Sequence, residues 1–180
     1  MYRLRCVRGG LPGGRLCSSV VHDFNKCLVN DILSFARRLF FYFEGDDTME
    51  HKQLAQKAIA AKKLAYAPYS GFQVGAALLA ADGTVYTGCN VESAAFSPTC
   101  CAERTALVKA VSEGLREFTA IAISGGTGTE YCYPCGVCRQ LLYEFGSDDL
   151  QVIVVKTGDD YKVHLLGELL PYGFGAEDLV

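Results

Sequence analysis

Two stretches of the chain, FTAIAIS at 118–124 and LQVIVV at 150–155, are apolar almost without a break. Runs of this kind, rich in Ile and Val, read as strands covered on both faces rather than on one. Covering both faces demands helices on either side, and the chain supplies them. Leu54, Ala58, Ala61 and Leu64 recur at helical spacing, so a helix is expected over roughly 50–66, ended by Pro68. Ala102 to about Val111 consists of good helix formers and runs on to Gly114, and Gly136 to about Phe145 reads as a third helix. FQVGAALLAADGTVYTGC, 72–89, reads as two strands joined at Asp82-Gly83. Gly75 within the first of them marks either the close approach of another backbone or a bulge. Lys162 to Leu166 adds a short edge strand, and GELLP a helical turn. The alternation predicts an α/β protein, a three-layer α/β/α sandwich around a central mixed sheet of about five strands.

Charge and cysteine usage narrow the function classes. A formal net charge of −3 over 180 residues argues against a surface built for nucleic acid. No apolar run approaches the roughly 18 residues a membrane span needs. Nine cysteines, an odd number with four packed into two short clusters, fit a secreted disulfide framework poorly. A reducing compartment and a metal or thiol site are the better reading.

Residues 1–48 differ from the rest. Four arginines precede the first acid, Asp23, which faintly resembles an organelle transit peptide. The plainer reading is a poorly ordered or spurious extension upstream of Met49, leaving 49–180 as the folded domain. Its ILSFARRLFFYF stretch could pack as a short helix and is too short and too charged to cross a membrane. Cytoplasmic residence is expected, with organelle targeting by residues 1–48 as the alternative.

The first cysteine cluster is Cys101-Ala-Glu103 and the second is Pro134-Cys135-Gly-Val-Cys138. Each sits where strand and loop feed a helix. Free backbone N–H groups and the positive dipole end of a helix favour thiolate over thiol there. Two helix starts side by side can aim three sulfurs at one point. Three protein ligands on zinc leave the fourth tetrahedral position for water, the catalytic pattern. Taken alone, Cys-x-x-Cys is equally a redox pair, half of a structural zinc site, or part of a catalytic one. A closed structural site would draw its fourth ligand from Cys89, Cys100 or Cys132.

Cys-Ala-Glu followed by Pro-Cys-x-x-Cys is far more specific, being the signature of zinc deaminases. Five blocks extend the match in order: YAPYSGFQVGAALL (66–79), GCNVESAAF (88–96), CAERTAL (101–107), PCGVCRQ (134–140) and LLPYGFGAEDL (169–179). On these, residues 49–180 resemble the small homotetrameric cytidine deaminases over essentially their whole length. Residues 1–48 have no counterpart in that resemblance.

The resemblance implies zinc held by Cys101, Cys135 and Cys138, with Cys100 a neighbouring small core residue. It makes Glu103 the proton carrier, a carboxylate that takes a proton from water and delivers it to the pyrimidine and the departing amine. Three thiolates on a divalent ion sum to −1, so something must draw charge from the sulfurs. Arg104 is the best candidate. Asn90 and Glu92 resemble the pair that binds the ribose 3′-hydroxyl, an arrangement that would repel a phosphate there. Phe72 matches an aromatic packed near the base. The backbone of Ala102 is expected to contact the pyrimidine, and Ala94 lies in the sugar-binding stretch. Phe174 resembles a phenylalanine that reaches a neighbouring subunit's site. Phe96 stands where the family usually has Tyr, so it can fill space but cannot donate a hydrogen bond. Ser93, where Asn is common, receives no role.

The function expected is zinc-dependent hydrolytic deamination of free cytidine and deoxycytidine to uridine and deoxyuridine with release of ammonia, in pyrimidine salvage. The expected assembly is a homotetramer with sites shared between subunits, and neither nucleic acid nor membrane is a partner. Three rivals remain at this level: a deaminase of bases in RNA or DNA, a catalytically silent zinc protein, and a dithiol oxidoreductase.

Overall fold

A computed structural model describes residues 47–179. The expectations for residues 1–48 lie outside the described residues, except that the last two of them already belong to the first helix.

The helices are α1 (Asp47–Lys62), α2 (Ala102–Ser112), α3 (Gly136–Gly146) and the single turn α4 (Leu166–Leu169). The strands are β1 (Val74–Ala80), β2 (Val85–Cys89), β3 (Phe118–Gly125), β4 (Gln151–Val155) and β5 (Tyr161–Leu165). A short 3-10 turn, Ala176–Leu179, closes the chain. The five strands form one sheet in the order β2-β1-β3-β4-β5. Only β3 and β4 run parallel, so the sheet is mixed. A parallel pair needs a crossover, and the segment from Gly126 through α3 supplies it.

Strand alternation sorts the core into two layers. Ala77 and Leu79 of β1, Ala120 and Ala122 of β3, and Ile153 and Val155 of β4 face Leu54, Ala55 and Ala58 of α1. The intervening residues Ala76, Leu78, Ile121, Ile123, Val152 and Val154 face Ala102, Ala106, Leu107 and Ala110 of α2 and Leu142 of α3. Both apolar runs are thus covered on two sides, and the three-layer sandwich is the architecture found.

Gly75 answers its own question. A Cβ there would overlap the Ala58 carbonyl oxygen and the Lys62 amide nitrogen, both backbone atoms of α1. The missing side chain lets the helix lie directly on β1. Gly88 does the same for α2, where a Cβ would come 2.5 Å from the Ala102 carbonyl oxygen and the Ala106 nitrogen. That contact seats the start of α2, and with it Cys101 and Glu103, close against the sheet. Gly75→Ala forces α1 away from β1, because backbone cannot yield as a side-chain tip can. The expected cost is about 2–3 kcal/mol, a fall in Tm of about 6–10 °C in a thermal melt.

One expected boundary moves. The first helix ends at Lys62, not near 66, and Leu64 is exposed rather than part of the buried face. The cause is pairing further on. Tyr66 N–H bonds the Asn90 carbonyl and Glu92 N–H bonds the Tyr66 carbonyl, at 3.0 and 2.8 Å. This bridge to the segment after β2 draws the chain out of the helix before Pro68 is reached.

Candidate functional site

Cys101 is the N-cap of α2 and Cys135 the N-cap of α3; both have extended backbone and neither makes a side-chain capping bond. Their carbonyls accept the first helical bonds, from Thr105 N–H and Arg139 N–H, each at 3.0 Å. The sulfurs are therefore left free at two adjacent helix starts. Cys138, one turn into α3, is fully buried and brings the third. The three Sγ atoms lie within 4.8 Å of one another. Cys135 and Cys138 are 3.5 Å apart, and Cys101 and Cys135 3.9 Å. Zinc–sulfur bonds of about 2.3 Å in a tetrahedron put neighbouring sulfurs about 3.8 Å apart, so the residues fit that metal without rearrangement. Cys89, Cys100, Cys132 and Glu103 are not members of the cluster. A closed four-sulfur site is not what these residues form.

Glu103 sits in the first turn of α2 and is only 4% exposed. Its carboxyl lies near enough to Cys138 and Cys101 for both sulfurs to act on its ionisation. Burial pushes its proton affinity above the usual carboxylate range, and the negative charge at Cys101 adds to this. A side chain so placed is no solvated surface glutamate.

Arg104 follows on the same helix. Its Nη2 donates to Cys101 Sγ at 3.5 Å and to the Thr99 carbonyl at 2.8 Å. The Cys101 thiol is drawn down to about 5 by the hydrogen bond from Cys138 and then by the bond and charge of Arg104, against the opposing effect of burial. Cys138, the donor in that pair, is pushed up, first by that bond and then by burial. Arg104 thus lies against the sulfur whose thiolate form is most favoured. Cys132 is pushed up to about 11, chiefly by burial, and stays a thiol. Cys100 is half-buried, not a core residue. It pairs with Val91 and accepts from the Thr105 hydroxyl at 3.5 Å, away from the cluster.

A recess of about 470 Å³ lies alongside, lined by Tyr69, Ser70, Glu92, Phe96 and Thr99. Thr99, whose carbonyl holds Arg104, links the recess to the cysteine cluster. Phe96 is three-quarters exposed and sits in the turn with a φ of 56°. Glu92 Oε2 accepts from the backbone N–H groups of Tyr69 (2.9 Å) and Ser70 (3.1 Å), and Oε1 accepts from the Ser70 hydroxyl. Asn90 is buried and holds backbone: Oδ1 accepts from Val74 N–H and Nδ2 donates to the Phe72 carbonyl, both at 2.8 Å. Phe72 is half-exposed, with its ring against Gly125 and Gly126. Ala102 is buried at the first position of α2, and Ala94 is exposed in the turn that Ser93 organises. Phe174 does not line the recess. It is exposed, and its carbonyl is held by Gln140 Nε2 at 2.6 Å.

Ser70, Thr99, Arg139 and Gln140 are contributors that residue pattern alone passed over. Arg139 donates to the Pro134 and Leu169 carbonyls at 2.8 and 2.7 Å, so with Gln140 it ties the C-terminal segment to the helix that carries Cys138. The signal was available in part, since the polar pair Arg139-Gln140 directly follows a cysteine proposed as a ligand.

A family model described as the cytidine and deoxycytidylate deaminase zinc-binding region matches residues 48–154. The cytidine deaminase of Sporosarcina psychrophila is 46% identical over 131 residues, 73% of this chain and 96% of that protein. The cytidine deaminase of Halalkalibacterium halodurans is 47% identical over 131 residues, 73% of this chain and 98% of that one. Among solved structures, the cytidine deaminase from Burkholderia pseudomallei matches with a TM-score of 0.65 at 47% identity. It covers 69% of this chain and 98% of its own.

Proposed function

The chain belongs to the family of zinc-binding cytidine and deoxycytidylate deaminases, and on that footing we propose that it hydrolyses free cytidine and deoxycytidine to uridine and deoxyuridine with release of ammonia. The observation that carries this reading is the buried Glu103 carboxyl beside a three-sulfur cluster at two helix starts.

Cys101, Cys135 and Cys138 would hold the zinc. When bound, the metal supplies Lewis acidity that makes water nucleophilic near neutral pH. Glu103 would take a proton from the attacking water, pass one to N3 of the pyrimidine, and later protonate the departing amine. Its raised proton affinity suits a group that must both take and give within one cycle. Arg104 offsets the charge on the Cys101 sulfur, which three thiolates would otherwise make too rich. Glu92 accepts from the ribose 3′-hydroxyl and repels a phosphate attached there, favouring nucleosides over nucleic acid. Asn90 works beside it, though both ends of its amide already hold the Phe72–Val74 backbone. Phe72 packs near the base and the Ala102 backbone contacts it. Ala94 and Phe96 border the sugar, Phe96 filling space without donating.

The assembly proposed is a homotetramer in which Phe174 reaches a neighbour's site. Tyr66, Tyr69, Phe72, Phe96, Tyr172 and Phe174 are all at least half exposed in the single chain, a surface suited to burial between copies. Among the described residues no helix is long and apolar enough to cross a membrane. Cytoplasmic pyrimidine salvage is the proposed setting, and the unpaired cysteines of the described region accord with a reducing compartment.

Zinc-replete protein should convert free cytidine with loss of its ultraviolet band and stoichiometric ammonia, and leave a cytidine-containing oligonucleotide untouched. Turnover of the oligonucleotide alone reverses the assignment. Turnover of neither, with zinc bound, favours a silent zinc protein.

A further inference from the structure

Ser70 has no role in the chemistry above, yet its hydroxyl touches both halves of the proposed nucleoside pocket. It donates to Glu92 Oε1, and it accepts from Phe72 N–H at 2.9 Å. The Phe72 carbonyl is taken by Asn90 Nδ2 on the other side. The backbone of Phe72 is therefore held on both sides, its N–H by Ser70 and its carbonyl by Asn90.

We propose that Ser70 is a positioning residue that fixes the Glu92 carboxylate and the Phe72 backbone to each other, so that the sugar-reading group stands at a set distance from the ring that packs on the base. The proposal rests on the nucleoside reading of the site. Glu92 lies outside any helix or strand, on a segment joined to its neighbours by isolated bridges at Val91. A glutamate there has several rotamers of similar energy. Donors from Tyr69, Ser70 N–H and Ser70 Oγ engage both of its oxygens and select one. The Ser70 hydroxyl contributes most to keeping Glu92 ionised, the state that accepts from a sugar hydroxyl. Alanine at 70 can neither donate nor accept. Threonine keeps a hydroxyl that does both.

A purely structural Ser70 would, when lost, weaken handling of every nucleoside alike. The test compares Ser70→Ala and Ser70→Thr on cytidine and on 3′-deoxycytidine, which lacks the hydroxyl assigned to Glu92. Ser70→Ala should raise KM for cytidine about tenfold, the worth of one hydrogen bond to a charged group, and leave kcat within about threefold. For 3′-deoxycytidine, which the unaltered enzyme should already handle poorly, the same variant should change KM less than about twofold. Ser70→Thr should keep cytidine KM within about threefold of the unaltered enzyme. An equal rise on both nucleosides, a loss confined to kcat, or a threonine variant as impaired as the alanine one overturns the proposal. If the unaltered enzyme does not discriminate against 3′-deoxycytidine, the assignment of Glu92 fails instead. If it turns over neither nucleoside, the functional reading itself is lost.

Discussion

Glu103→Gln lowers kcat by about 10³–10⁴ and leaves the zinc content at one ion per chain. Glutamine keeps the size and hydrogen-bonding edge of the side chain but cannot carry a proton. The wild-type carboxyl is buried in the first turn of α2 beside the cysteine cluster, with its proton affinity raised by burial. Such a group can hold a proton long enough to deliver it, and it stands close to the sulfurs that would hold the metal. The loss corresponds to about 4–5.5 kcal/mol of transition-state stabilisation, while no ligand is removed. A steady-state assay paired with elemental analysis reads both quantities. Loss of zinc together with activity would instead make Glu103 a ligand or a structural prop.

The second large effect separates two adjacent cysteines. Cys101→Ala should lower zinc to below about a tenth of an ion per chain and abolish turnover, since the two remaining thiolates cannot hold the metal at ordinary dilution. Cys100→Ala should leave zinc stoichiometric and kcat within about twofold of the unaltered enzyme. The difference follows from geometry. Cys101 caps α2 with its sulfur 3.9 Å from that of Cys135, whereas the Cys100 sulfur is bonded by the Thr105 hydroxyl and lies outside the cluster. Arg104 donates to Cys101 as well. If the Cys100 variant loses the metal and the Cys101 variant keeps it, the ligand assignment is off by one residue.

Much of this arrangement could be read before any coordinates. The uninterrupted apolar runs at 118–124 and 150–155 demanded cover on both faces, and α1 on one side with α2 and α3 on the other provides it. The meeting of Cys101, Cys135 and Cys138 was expected from the family resemblance that their motifs carry, because spacing alone left Cys-x-x-Cys open to three readings and Cys101 lies 34 residues from Cys135 on another helix start. The end of α1 escaped because it is decided by a long-range pairing, Tyr66 with Asn90 and Glu92, that local periodicity does not register. Leu64 looked like the next turn of a buried stripe for the same reason. The environment of Cys100 escaped because its burial depends on the bridge to Val91. Asn90 and Ser70 show a further limit. One was given only a sugar contact and the other no role, while in the structure Asn90 holds the Phe72 carbonyl and Ser70 holds the Glu92 carboxylate, each bond joining the loop before β1 to the segment after β2. Side-chain bonds to distant backbone leave little trace in residue order.

Zinc-edge X-ray absorption on the purified full chain examines the heart of the matter, three cysteine sulfurs on one metal with a position left for water. The account predicts three sulfurs at about 2.3 Å and one lighter ligand at about 2.0 Å. A shell of four sulfurs, a shell of two, or protein with intact thiols and no zinc would contradict it.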